Sequence, residues 1–156
     1  MVGRYAENTT VTTDRSILEI KRVLSQYLCN GFAFGEEDGR QMIGFKLSGR
    51  AVQIEIPTPA PDAPEFTQTP TGRERANYAA REAWEQEVRR RWRVFVIAIK
   101  AKLELIAAGV STVDREFLAD LLLPDGTTVS SRLIPELDRA LERGKLPALL
   151  PAVTTE

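Results

Sequence analysis

The stretch from Arg73 to Ala108, RERANYAAREAWEQEVRRRWRVFVIAIKAKLELIAA, contains no proline and no glycine. It constrains the fold more than any other part of the chain. Trp84, Val88, Trp92, Phe95, Ile99, Leu103 and Ile106 recur in it at steps of three or four, which places them on one face of an α-helix. Gly109 stands just past the end, where helices commonly close on a left-handed residue. At about 1.5 Å per residue a central helix over 73–108 spans roughly 50 Å, more than a small domain covers on one side. The segment VFVIAI (94–99) is apolar nearly all round, so this half is expected to lie between other elements. The first half is charged and is expected at the surface.

The rest of the chain reads as shorter elements around that helix. Residues 1–12 form a polar lead-in. Thr13 can cap a helix opening at Asp14, with Ile17, Ile20, Val23, Leu24, Tyr27 and Leu28 inward and Asn30-Gly31 ending it. Phe32-Ala33-Phe34 is a short strand leading to a turn at Glu36-Glu37-Asp38-Gly39. Strands over 41–47 and 50–56 flank Ser48-Gly49, a two-residue hairpin loop. Such a loop pairs Leu47 with Arg50, Phe45 with Val52 and Ile43 with Ile54, which puts four apolar residues on one face. The other face has no aromatic platform for stacked bases.

Five prolines between Pro57 and Pro70 predict an extended, stiff connector that is neither helix nor central strand. Phe66 either anchors it or binds a partner. After Gly109, Ser111 or Thr112 caps a short helix carrying Phe117, Leu118, Leu121 and Leu122. Pro124-Asp125-Gly126 is a turn, followed by a strand fragment over 127–129. Ser131 caps a last helix with Leu133, Ile134, Leu137 and Leu141 inward, Pro135 in its first turns, and Gly144 as its stop. The apolar tail LPALLP (146–151) is expected to dock. The fold class is therefore α+β: an N-terminal helix, a three-stranded antiparallel sheet, a long central helix and a C-terminal helical segment. We read one domain over 1–156, made of helix and sheet (13–56), connector (57–72), central helix (73–108) and helical C-terminal part (111–151).

Several chemistries are excluded by residue type. The chain has no histidine and one cysteine, Cys29, so imidazole-based catalysis and structural zinc are out. Cys29 follows an apolar helix and reads as an inert thiol. There is no GxxxxGK[ST] and no GxGxxG to hold a nucleotide. Glu36-Glu37-Asp38 lacks calcium-loop spacing, and Glu19-Ile20-Lys21 matches the E-x-K of magnesium nucleases on a helix, where that chemistry needs a strand. The expectation is a protein that is not an enzyme and carries no metal or cofactor; the catalytic routes still open are carboxylate–Mg²⁺ chemistry and Lys, Tyr or Ser chemistry without imidazole. No apolar run is long enough for a membrane span, and MVGRYAENTT has no apolar core of a signal peptide. With a single cysteine, a bacterial cytoplasmic location is expected.

One electrostatic asymmetry stands out. From Arg73 to Lys102 there are nine basic and four acidic residues, about +5, whereas the whole chain is -1. Two readings compete. In the first, Glu85 with Arg89 and Glu87 with Arg91 are i,i+4 pairs on a solvated helix face. In the second, Arg73, Arg75, Arg81, Arg89, Arg90, Arg93 and Lys100 contact phosphates of DNA or RNA. A protein partner or a homo-oligomer is the other class of reading, with Phe66, Trp84 and Trp92 as anchors; core packing explains the tryptophans more simply.

PEFTQTPTGR (64–73), AWEQEVRRRWR (83–93), IKAKLELI (99–106), FLADLLLPDGTTV (117–129) and LPALLP (146–151) resemble stretches of small proteins encoded by bacteriophages and prophages. That resemblance implies a mobile-element origin and, with it, a part in phage DNA metabolism; it carries no activity and no catalytic residue. The order helix, three strands, helix is also that of a double-stranded-RNA-binding domain, although the proline-rich connector departs from it. The expected function is a non-enzymatic phage or prophage accessory protein that binds nucleic acid or a replication or recombination complex. The alternative is a protein–protein module that dimerises or inhibits a host factor.

Overall fold

The Thr12 hydroxyl accepts a hydrogen bond from the Arg15 N–H at 3.3 Å and caps the first helix, α1 (Thr13–Gln26). The computed structural model describes residues 5–37 and 39–144, and within them the chain is α+β. The N-terminal helix leads to a three-stranded antiparallel sheet in the order β1-β2-β3, made of Asn30–Glu37, Arg40–Leu47 and Arg50–Ile56. A one-turn helix α2 (Pro64–Thr67), the long α3 (Asn77–Ala107), a one-turn α4 (Val113–Glu116), a 3-10 turn (Leu118–Asp120) and α5 (Val129–Glu142) follow.

The hairpin register is the expected one: Leu47 opposes Arg50, Phe45 opposes Val52, and Ile43 opposes Ile54. Ser48 and Gly49 both have positive φ, 50° and 77°, which is the turn that matches strand twist. Ile43, Phe45, Val52 and Ile54 are buried on one face. The core lies between that face, α1 and α3, and includes Ile20, Leu24, Trp92, Val96, Ile99, Leu103 and Phe117. Phe117 meets Phe45 edge-on, with ring centres 5.5 Å apart. Arg50 reaches Asp114 through two nitrogens at 2.7 and 2.8 Å, tying the hairpin to α4.

Several expectations need correction. Helix α1 stops at Gln26, before Asn30-Gly31. The Cys29 N–H donates to the Leu24 carbonyl and the Leu28 N–H to the Ser25 carbonyl, a closure that puts Leu28 in the left-handed position at φ 60°. Leu28 is therefore 87% exposed, not inward. Strand β1 runs on through Glu36 and Glu37, because Glu37 pairs directly with Arg40; Asp38 lies outside the described residues. The connector holds a helical turn after all, α2, with Pro64 at its start, where a missing N–H costs nothing.

Helix α3 begins at Asn77 and not at Arg73. The Thr69 N–H donates to the Arg73 carbonyl and the Arg75 N–H to the Thr67 carbonyl, so residues 73–75 spend their backbone groups on a bridge to the connector. The 94–99 segment is not enclosed all round: Val94 and Ile97 are exposed. Helix α5 starts early, capped by Thr128, so Pro135 falls in its interior. The polar residues 1–4 and the tail 146–151 lie outside the described residues. Among the described residues no helix is long and apolar enough to cross a membrane.

Candidate functional site

Helix α5 is capped by the Thr128 hydroxyl, which accepts from the Ser131 N–H at 3.3 Å. It closes at Arg143 and Gly144, with Gly144 at φ 65°. Leu133, Leu137 and Leu141 recur every fourth residue, and Ile134 lies beside them, so they form one apolar arc. The arc does not face the core. Its members are 47 to 56% exposed, and α5 contains no buried residue. The inward placement expected of these four side chains is thus overturned. The physical reason is the docking of α5: its substantial contact is with the 3-10 turn, which touches the start of the helix and leaves its apolar side open.

A second uncovered apolar surface runs along α3 opposite Trp92. Val94, Ala98, Ala101 and Leu105 are exposed and follow one another at steps of four, three and four, with Ile97 alongside. This is the spacing of a helix–helix seam. Beside it a cleft of about 250 Å³ lies between α3 and the end of β3. Ile56, Pro57, Val94, Phe95 and Ala98 line it, with Arg90 and Arg91 at its edge. A larger cleft of about 650 Å³ adjoins, between β3 and α5. It is lined by Gln53, Glu55, Pro57, Asp120 and the first turns of α5, including Ile134. Burial raises the Asp120 carboxyl above its usual range. Of the hydroxyls there, Thr128 and Ser130 bond each other at 3.1 Å at the helix cap, and Thr127 donates to Asp125 at 2.7 Å. Among the described residues no group of three His, Cys, Asp or Glu is placed to hold a metal ion.

The basic residues of α3 are largely engaged by the protein itself. Arg93 and Lys100 both reach Glu19 of α1, at 2.5 Å each. These two donors hold the Glu19 carboxyl below its ordinary value. Glu87 accepts from Arg90 at 2.7 Å and from Arg91 at 2.9 Å, and Arg90 foremost lowers its carboxyl in turn. Arg89 donates to Gln86 at 2.7 Å, with Glu85 farther away at 3.8 Å. Arg81 pairs with Glu85 at 3.0 Å, and Arg75 donates to the Phe66 carbonyl at 3.4 Å. Arg73 is exposed and, among the described residues, its side chain has no such partner. The set Arg73, Arg75, Arg81, Arg89, Arg90, Arg93 and Lys100 therefore lies on one helix and its approach; the last five contact carboxylates but share three of them, Glu85, Glu87 and Glu19.

The aromatic anchors are structural. Trp92 is fully buried, and Phe66 is 5% exposed, so both side chains are packed inside the chain. Trp92 Nε1 donates to Gln41 Oε1 at 2.8 Å. Trp84 packs partly against the core and donates to the Pro59 carbonyl at 2.8 Å, holding the connector to α3. The Cys29 thiol is pushed up to about 11 by burial, in keeping with an inert role. Glu19 stands out in the sequence only within Glu19-Ile20-Lys21; no local pattern marks its pairing with Arg93 and Lys100 from another helix. The heptad-like outer stripe of α3 could have been found from its spacing, which the richer inner stripe concealed. No protein-family model matches the chain, and neither a curated protein nor a solved structure shows significant similarity to it.

Proposed function

We propose that this protein is a non-enzymatic protein–protein interaction module whose contact surface is the apolar face of α5. The observation that carries the reading is the half-exposure of Leu133, Ile134, Leu137 and Leu141 on one continuous arc. Contiguous exposed apolar patches of this kind mark interaction sites far more often than scattered single residues do. Burying the exposed half of each side chain contributes about 1 kcal/mol, so the four together offset only the low end of the cost of association, about 4 kcal/mol. The uncovered stripe on α3 adds a second strip of the same chemistry.

Nucleic-acid binding, the competing reading, is supported by Arg73 and Arg81, which are exposed. It is weakened by the carboxylates already bound to Arg90, Arg93 and Lys100, because a phosphate must displace them. One experiment separates the two. A photo-crosslinking amino acid is placed at Leu137 or at Arg73, and adducts are analysed by mass. Protein adducts from position 137, lost when Leu133→Asp is added, support the interaction module. Nucleic-acid adducts from position 73, with none from 137, would reject it. Titration of labelled duplexes at rising salt then measures the phosphate contribution directly.

A further inference from the structure

We infer that the partner of α5 is a second copy of this chain, the two associating about a two-fold axis with each α5 seated against the outer stripe of the other's α3. This rests on the reading of α5 as a contact surface and names what covers it. A two-fold interface requires a patch and its complement on the same side of one molecule. The chain carries both. The ridge is large and branched: Leu133, Ile134, Leu137 and Leu141. The receiving stripe has the small residues Ala98 and Ala101 at its centre, with Val94 and Leu105 at either end and Ile97 alongside. Large side chains on one helix opposite small ones on the next are what close helix packing needs.

The two surfaces are neighbours. The cleft beside α5 and the cleft beside α3 share Glu55 and Pro57, and Ile134 of the ridge lines the first while Val94 and Ala98 of the notch line the second. Within a single chain they do not cover each other: α5 packs on the 3-10 turn, and both sets of side chains remain exposed. The rims differ in sign. Arg90 and Arg91 edge the notch and share the single carboxylate of Glu87, with Glu55 there paired to Arg40, whereas Asp138 and Glu142 flank α5 and have no ion-pair partner among the described residues. An unrelated helix could meet the ridge alone. A second copy satisfies ridge and notch together, twice per complex.

The test uses the full chain with Cys29→Ser, so that introduced cysteines are the only thiols. Two single-cysteine variants, Ala101→Cys and Leu137→Cys, are oxidised mildly, separately and as a mixture, while light scattering follows the mass of the wild type. The expected result is a wild-type dimer and a disulfide-linked dimer in the mixture but in neither variant alone. Leu137→Glu is expected to give a monomer with an unchanged helical signal. A wild type that stays monomeric at high concentration overturns the inference. So does cross-linking of Leu137→Cys with itself, which would mean α5 against α5. If the wild type is monomeric while the photo-crosslinker at position 137 still captures a different protein, the second copy is rejected and the interaction module stands. If neither association occurs, both fail.

Discussion

Arg93 Nη1 lies 2.5 Å from Glu19 Oε2, a contact between two residues 74 positions apart. It changes the meaning of the basic run on α3. A formal charge of about +5 along a helix suggests a phosphate-binding face, yet α1 delivers a carboxylate to the middle of it, and Lys100 joins the same carboxylate at 2.5 Å. Charge counted along a segment is a poor measure of the charge available at a surface.

Replacing Glu19 with Gln removes the negative charge and leaves two basic groups with a neutral acceptor. The contact is part-buried, with Arg93 16% and Glu19 32% exposed. Solvent screening limits such pairs, but loss of two charge-assisted bonds is expected to cost about 1–2 kcal/mol. The urea midpoint should fall with the slope unchanged. The same variant should bind heparin or duplex DNA more tightly than the wild type, since Arg93 and Lys100 are released. No change in either quantity would mean that the pair contributes nothing.

Stability should fall in acid by the same physics. Glu19 and Glu87 are both held below their ordinary 4.5 by their arginine and lysine partners. A carboxyl whose folded value is lowered contributes stability that is fully present above the unfolded value. That contribution disappears as pH drops through the folded value. Urea midpoints measured from pH 7 downward should stay level to about pH 5 and then decline. The decline should be shallower in Glu19→Gln and Glu87→Gln. Asp120 works in the opposite sense, because burial raises it; its ionisation disfavours the fold above the unfolded value, so Asp120→Asn should be neutral or stabilising at pH 7.

Leu28 closes α1 from the left-handed region, at φ 60°, with its side chain almost wholly in solvent. A Cβ in that region costs about 1–2 kcal/mol, and no burial offsets it here. Leu28→Gly is expected to stabilise by roughly 0.5–1 kcal/mol once the added freedom of the unfolded chain is subtracted. A thermal midpoint that falls would show that Leu28 makes a contact worth more than the strain.

The same residue illustrates what could be read from the sequence. The i, i+3, i+4 pattern in α1 continues through Tyr27 to Leu28, but the helix closes at Gln26 because backbone bonds to Leu24 and Ser25 end it. The hairpin was legible in full, since Ser48-Gly49 sets the pairing and a one-residue slip would expose Ile43 and Val52 together. In the basic run the i,i+4 pairs Glu87–Arg91 and Glu85–Arg89 were legible and form at 2.9 and 3.8 Å; the pairing of Arg93 and Lys100 with Glu19 was not, because that carboxylate reaches them only through the tertiary fold. For α5, periodicity reveals that a helix has an apolar side. It carries no information on whether the same chain covers that side.

Trp92 has no solvent exposure, and its indole N–H is satisfied by Gln41 Oε1 at 2.8 Å. Gln41→Leu keeps most of the volume and removes the acceptor. An unpaired buried donor costs about 1–3 kcal/mol, so the variant should lose that amount in urea unfolding. Gln41→Glu restores an acceptor and should recover part of it. Equal loss in both would place the effect in packing.

Helix α5 should open more readily than the rest of the molecule. It is 14 residues long, a length at which an isolated helix is marginal in water. Its anchorage is the 3-10 turn at one end. Pro135 removes one N–H from its interior, leaving the Ser131 carbonyl without its helical donor. By contrast Trp92, Val96, Ile99 and Leu103 are buried in the core, so amides of α3 around them should exchange only on global unfolding. Hydrogen exchange followed by mass spectrometry is expected to show α5 losing protection first, with Leu137 and Leu141 exchanging well before Ile99. Pro135→Ala should slow exchange throughout α5 and leave α3 unchanged. Protection in α5 that rises with protein concentration would tie its order to association, because a helix whose apolar side is covered only in a complex gains its stability by mass action. Protection in α5 equal to that of α3 at high dilution would mean that the helix is held by its own chain, and its exposed leucines would lose their standing as a contact surface.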